Sequence, residues 1–122
     1  MGKKILIVDD SRTIRQQVSF TLVKGGYTVL EAEDGKDGLV KLKANLDVAM
    51  IISDVNMPNM NGLEMVEAIS QDATMNKIPI VMLTTEGAVE LIDRAKKAGA
   101  KGWIVKPFKP EHLVAAAKKL AG

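Results

Sequence analysis

Residues 5–10 read Ile5-Leu6-Ile7-Val8-Asp9-Asp10: four apolar side chains in a row, then two acids. A strand with one wet face alternates apolar and polar residues, whereas an unbroken apolar run fits a strand covered on both faces. Residues 48–54, Val48-Ala49-Met50-Ile51-Ile52-Ser53-Asp54, repeat the arrangement and end on a third acid. Another block runs from Ile78 to Leu83, and a shorter one is Trp103-Ile104-Val105. Tyr27-Thr28-Val29-Leu30 is weaker and more polar, as expected of an edge strand.

Helix-length segments lie between these blocks. Residues 12–24 place Ile14, Val18 and Leu22 four apart on one face, and Gly25-Gly26 ends the segment. Residues 36–44 set Leu39, Val40 and Leu42 among lysines, and residues 62–70 carry Leu63, Met65, Val66 and Ile69. Residues 88–98 carry Leu91, Ile92 and Ala95 before Gly99; residues 110–120 open on Pro110 and align Leu113, Ala117 and Leu120. Strand and helix thus alternate five times, which predicts an α/β fold with a parallel sheet covered on both faces. The strand order 2-1-3-4-5 of a doubly wound, flavodoxin-like sheet puts the two least apolar strands at the edges.

Composition bounds the function. A chain of 122 residues, 47% apolar and 26% charged, is expected to form one domain spanning 1–122, with no output domain attached. With no cysteine and a single histidine, His112, neither a disulfide scaffold nor a zinc site is expected. No apolar run nears the ~20 residues of a membrane span, and Lys3-Lys4 precede no signal-peptide core. A net charge of +2 and 3% aromatics give no case for nucleic acid. A cytoplasmic monomer without membrane or nucleic-acid partners is expected.

In open α/β sheets, ligands sit beyond the carboxyl ends of the strands. The residues expected there are Asp9 and Asp10, Asp54, Thr84, and Lys106 followed by Pro107. Three carboxylates at one rim repel, and a hard divalent cation such as Mg²⁺ relieves them while keeping positions open for phosphate oxygens. Lys106 adds a second cation and Thr84 a hydroxyl. The set suits phosphoryl transfer, which depends on positioning and charge neutralisation. A carboxylate can serve as nucleophile, and Asp54, alone at the end of the central strand, is the candidate. Asp9 and Asp10 are then left to hold the metal.

The stretches ILIVDDSRTIR (5–15), ISDVNMPNMNG (52–62), IPIVMLTTE (78–86) and AGAKGWIVKPF (98–108) together resemble the response-regulator receiver domains, in particular the stand-alone CheY-like chemotaxis regulators. Each motif alone is weak; all of them in order, each at a strand end, are specific. The resemblance implies Asp54 as phosphoacceptor, Asp10 as direct metal ligand, and Asp9 acting through metal-bound water. It assigns the backbone carbonyl of Asn56 to the metal, and Lys106, after a cis Lys-Pro bond, to the phosphoryl group and Asp54. It implies a histidine kinase as phosphodonor and self-catalysed gain and loss of phosphate, without turnover of a free metabolite.

A phosphoryl group adds roughly −1.5 to −2 charges and three acceptor oxygens. The resemblance implies that Thr84 swings toward it, that Thr85-Glu86-Gly87 follow, and that an aromatic on the fifth strand turns inward. Most members carry Tyr or Phe there; this chain carries Trp103. The output face is then the fourth helix, fifth strand and fifth helix, made basic by Lys96, Lys97, Lys101 and Lys109. It suits an acidic or amphipathic segment of a flagellar motor switch or another output protein. Asn56 and Glu86 flank the site and are expected to tune dephosphorylation toward a short-lived signal, with a phosphatase as a further possible partner.

Each residue also has a plainer reading. Asp9-Asp10 resembles a helix cap, but Ser11 competes for that place; Asp54 resembles one too, but Asn61 is nearer the next helix. Thr84 alone is usually a turn hydroxyl, Lys106 a solvated lysine, Trp103 edge packing and His112 a solvated first-turn residue. Met57, Met60, Met65 and Met82 read as gap-fillers. Among functions, a receiver that relays phosphate to a phosphotransferase is the alternative to an output switch. A Mg²⁺-dependent phosphatase of haloacid-dehalogenase type would carry D-x-D on its first strand, where this chain has adjacent acids. A flavin carrier would need a hydroxyl-rich phosphate loop where Asp9-Asp10 stand.

Overall fold

The computed structural model describes residues 2–85 and 89–122, apart from the side chains of Thr84 and Val89. Strands and helices alternate throughout: β1 (Lys4–Val8), α1 (Arg12–Lys24), β2 (Thr28–Ala32), α2 (Gly35–Ala44), β3 (Val48–Ser53), α3 (Gly62–Ser70), β4 (Ile80–Thr84), α4 (Val89–Lys97), β5 (Gly102–Val105) and α5 (Pro110–Leu120). The strands form one sheet in the order β2-β1-β3-β4-β5, and every neighbouring pair is parallel.

The continuous apolar runs are explained by the two cores. Successive strand side chains point to opposite faces. Leu6, Val8, Ile51 and Met82 therefore meet Leu42, Leu63, Met65, Val66 and Ile69 on the side of α2 and α3, where Ala95 of α4 joins them. Ile5, Ile7, Met50, Ile52, Val81 and Leu83 meet Val18, Leu22, Leu113 and Ala117 of α1 and α5 on the other. Each fully buried Leu, Ile or Met contributes roughly 1.5–3 kcal/mol of transfer free energy. Met65 and Met82 are fully buried, and Met57 and Met60 pack against the first cluster, as gap-fillers do.

Side chains fix where the helices begin. Ser11 Oγ accepts from Ile14 N–H at 3.3 Å to open α1, and Asp34 Oδ1 accepts from Asp37 N–H at 2.8 Å to open α2. Asn61 and Glu64 form a reciprocal capping box on α3. The competing caps, Ser11 and Asn61, thus release the rim acids from that task.

Two strands differ from the sequence reading by two residues at one end. The second strand was expected at Tyr27–Leu30 and runs Thr28–Ala32. Tyr27 N–H closes the end of α1 by bonding Leu22 O, and its ring is buried in the α1/α5 core. The fourth was expected from Ile78 and starts at Ile80. Ile78 N–H is taken by Met75 O in the preceding turn, and Pro79 has no N–H to give the ladder.

Candidate functional site

The carboxyl ends of β1, β3 and β5 bring together residues distant in sequence. Asp9 follows β1 and is 2% exposed. Its N–H donates to Ala32 O at 3.0 Å, extending the ladder with β2 by one step. Its Oδ1 accepts from Ser11 N–H at 2.8 Å, and its Oδ2 lies 3.0 Å from Lys106 Nζ. Its carbonyl accepts from the Arg15 guanidinium at 2.6 Å, and Arg15 Nε in turn lies 3.2 Å from Glu31 Oε1. Asp10, next in the chain, is exposed.

Asp54 follows β3 and is 8% exposed. Its N–H donates to Val8 O at 2.8 Å, so the β1–β3 pairing sets its position directly. Its Oδ1 accepts from Val55 N–H at 2.8 Å, and its Oδ2 lies 3.5 Å from Lys106 Nζ. Gly62 closes the site from behind: a Cβ there would lie 2.0 Å from the Asp54 carbonyl oxygen. Lys106 extends from the end of β5, its side chain 13% exposed, and the Lys106–Pro107 bond is cis.

Asp9, Asp10 and Asp54 each present a carboxylate oxygen within 4.8 Å of the others. Burial first, and then the Asp9 carboxylate, push the Asp54 carboxyl above its ordinary range. Lys106 and the Val55 N–H oppose the rise, and Asp10 adds to it. Three acids thus face one ammonium. Hard oxygen donors carrying more negative charge than the protein balances fit a divalent cation such as Mg²⁺.

The expected residues divide into three groups. Asp9, Asp10, Asp54 and Lys106 converge, although Lys106 lies nearer Asp9 than Asp54. Asn56 is exposed on the loop between β3 and α3, and Trp103 is half-buried on β5 opposite Met82, packed against the cluster that includes Met82 and Ala95. Thr84 ends β4 in register with Val105, with its side chain outside the described part; Glu86 and Gly87 also lie outside the described residues. Lys96, Lys97, Lys101, Lys109 and His112 are exposed. Three residues went unread in the sequence: Arg15, Asp34 and Asn59. The signal for Asp34 was there, since Asp-Gly after a strand with Asp37 three positions on is a helix-start pattern.

The chain belongs to the response regulator receiver domain family, which it matches over residues 5–118. It is similar to chemotaxis protein CheY1 of Helicobacter pylori, at 48% identity over 90% of each chain. It is also similar to the chemotaxis protein CheY homolog of Campylobacter jejuni, at 45% identity over 90% of this chain and 85% of that one. Among solved structures, Vibrio cholerae chemotaxis protein CheY4 superposes with a TM-score of 0.92 at 45% identity, covering 98% of this chain and 99% of that one. No helix among the described residues is long and apolar enough to cross a membrane.

Proposed function

We propose that the chain is a stand-alone phosphoacceptor switch of a two-component pathway, working in chemotaxis as its named relatives do. One observation carries the reading: Asp54, at the end of the central strand, lies among two further carboxylates and a lysine held at the same rim. Asp10, Asp54 and the Asn56 carbonyl would hold Mg²⁺, with Asp9 acting through its water. The ion would neutralise charge on the incoming phosphoryl oxygens.

The chain's own residues do the rest. Asp54 Oδ1 is tied to Val55 N–H, so Oδ2 is the freer oxygen for attack. It bonds to the phosphorus of a phosphohistidine, the P–N bond breaks, and the departing imidazole takes a proton from solvent. Lys106, 3.5 Å from that oxygen, would pair with the negative charge on the phosphoryl oxygens. Hydrolysis reverses the charge change when water attacks the phosphorus and frees the carboxylate; Asn56 and Glu86 orient that water. Thr84 and Trp103 carry the switch to the face formed by α4, β5 and α5. Its exposed lysines suit an acidic or amphipathic segment of a motor switch protein.

The test is labelling with acetyl phosphate and Mg²⁺. Wild-type protein is expected to take up one phosphoryl group, and Asp54→Asn none. Full labelling of Asp54→Asn would sink the assignment. A pull-down with and without beryllofluoride then separates a motor-switch partner from a phosphotransferase.

A further inference from the structure

A helix cap needs one carboxylate oxygen, yet Asp34 uses both. Oδ1 accepts from Asp37 N–H at 2.8 Å and opens α2. Oδ2 accepts from Asn59 Nδ2 at 2.8 Å, across to the loop between β3 and α3. Beside this bond, Gly35 N–H donates to Met60 O at 2.9 Å. The approach is close: a Cβ on Gly35 would lie 2.6 Å from Met60 Cγ and 2.7 Å from Met60 O. Asp34 is 6% exposed and Asn59 is exposed, so the contact is shielded from water on the side of the acid. Asn59 has φ +66°, a left-handed conformation that glycine adopts freely and asparagine visits more readily than other side chains. Glycine would serve the turn better; asparagine adds an amide donor, and Asp34 is what receives it.

This latch holds a particular stretch of chain. The loop starts at Asp54 and contains Asn56. Its root is set by Asp54 Oδ1 accepting from Val55 N–H and by Gly62 N–H donating to Val55 O. Its crest is set by Asn59 and Met60 on the β2–α2 corner. Asn56 lies between the two anchorages. The same corner is tied to the acidic rim, because Asp9 N–H donates to Ala32 O, two residues before Asp34.

We propose that Asp34, acting through Asn59, is a positioning residue that fixes where the Asn56 carbonyl is presented to the metal site, and so sets the affinity for Mg²⁺. The inference rests on the proposed function, in which Asn56 is a ligand. Neither Asp34 nor Asn59 touches the metal.

The experiment is isothermal titration of chelator-stripped protein with Mg²⁺ alone, beside thermal melts without metal. Asn59→Gly keeps a backbone suited to φ +66° and removes only the donor. Asp34→Asn keeps an oxygen for the cap and turns an amide toward Asn59. Both are expected to bind Mg²⁺ about tenfold more weakly, the lower end of what losing a directly bonded outer partner costs, because the latch reaches Asn56 only through the chain. Glu64→Ala breaks the capping box at the far end of the loop. It is expected to lower the melting temperature and leave the affinity unchanged. Wild-type affinity in Asn59→Gly or in Asp34→Asn overturns the latch. An equal loss in Glu64→Ala also overturns it, because general loosening would then be the cause. Absence of Mg²⁺ binding in the wild type is a separate result, and it would refute the functional reading instead.

Discussion

Lys106 Nζ lies 3.0 Å from Asp9 Oδ2, although 97 positions separate the two residues in the chain. The same ammonium is 3.5 Å from Asp54 Oδ2. Asp9, the more buried acid, therefore holds the lysine in place, and Asp54 lies within reach of it. Strand β5 is joined through this contact to the carboxyl end of β1, with which it shares no ladder.

Replacing Lys106 by Met keeps the unbranched stem of the side chain, one atom shorter, and removes its charge. Asp9 would then be buried with Ser11 N–H as its remaining side-chain partner. Breaking one side of a buried pair costs several kcal/mol; partial exposure of Lys106 reduces this to about 1–3 kcal/mol. Urea denaturation without metal should register the loss, and Mg²⁺ should recover more stability in Lys106→Met than in wild type. Labelling by acetyl phosphate should slow markedly. Unchanged stability would mean that the pair contributes nothing.

Asp10 is exposed and belongs to the acidic cluster. Asp10→Asn should relieve repulsion, so the metal-free variant is expected to melt a few degrees above wild type. Ligand binding raises the melting temperature through linkage. The rise produced by Mg²⁺ should be mostly lost in Asp10→Asn. A variant less stable than wild type in chelator would contradict crowding among the acids.

Gly62→Ala places a methyl group 2.0 Å from the Asp54 carbonyl oxygen. Backbone has to move, since both sides of the contact are fixed, Gly62 by the start of α3 and Asp54 by β3. A loss of about 3 kcal/mol is expected, at the upper end for overpacking. Denaturant midpoints would measure it, and a loss below about 0.5 kcal/mol would show that the contact yields easily.

Asp34 gives a pH signature. The Asp37 N–H, followed by the Asn59 amide, holds its carboxyl below the ordinary value of 3.8, and burial opposes them. A depressed folded pKa means stability that is present above the unfolded value and lost as pH falls through the folded one. Asp34→Asn mimics the protonated acid. Wild type should be the more stable at pH 7, and the gap should close as the pH falls below 3.8. A gap that stays constant across that window would exclude Asp34 ionisation as its source.

Much of this arrangement is written in the sequence as periodicity. Ile5–Val8 and Val48–Ile52 read as two-faced strands because both of their faces meet helices, and the acids that follow mark the site end. The missed features depend on single side chains crossing between loops. Nothing at Arg15 announces that its guanidinium will bond Asp9 O, because the i, i+4 pattern of α1 records only which face is apolar. Asn59 lies in Asn59-Met60-Asn61-Gly62, where several turns are compatible with the residues. Tyr27 matched the strand pattern on composition, yet its N–H is claimed by the end of α1. Local propensity cannot register such a prior claim on a backbone group.

The two adjacent acids after β1 have opposite freedoms. Asp9 has its N–H, its carbonyl and both carboxylate oxygens engaged, and it is 2% exposed. Asp10 is exposed, and an exposed side chain changes rotamer in picoseconds to nanoseconds. An ion bound at this rim would meet one fixed acid and one mobile one. Rotation at Asp10 would free one of the groups proposed to hold that ion, with no movement of the sheet. Under the proposed function, release of the metal would thus begin at an exposed side chain rather than at the sheet.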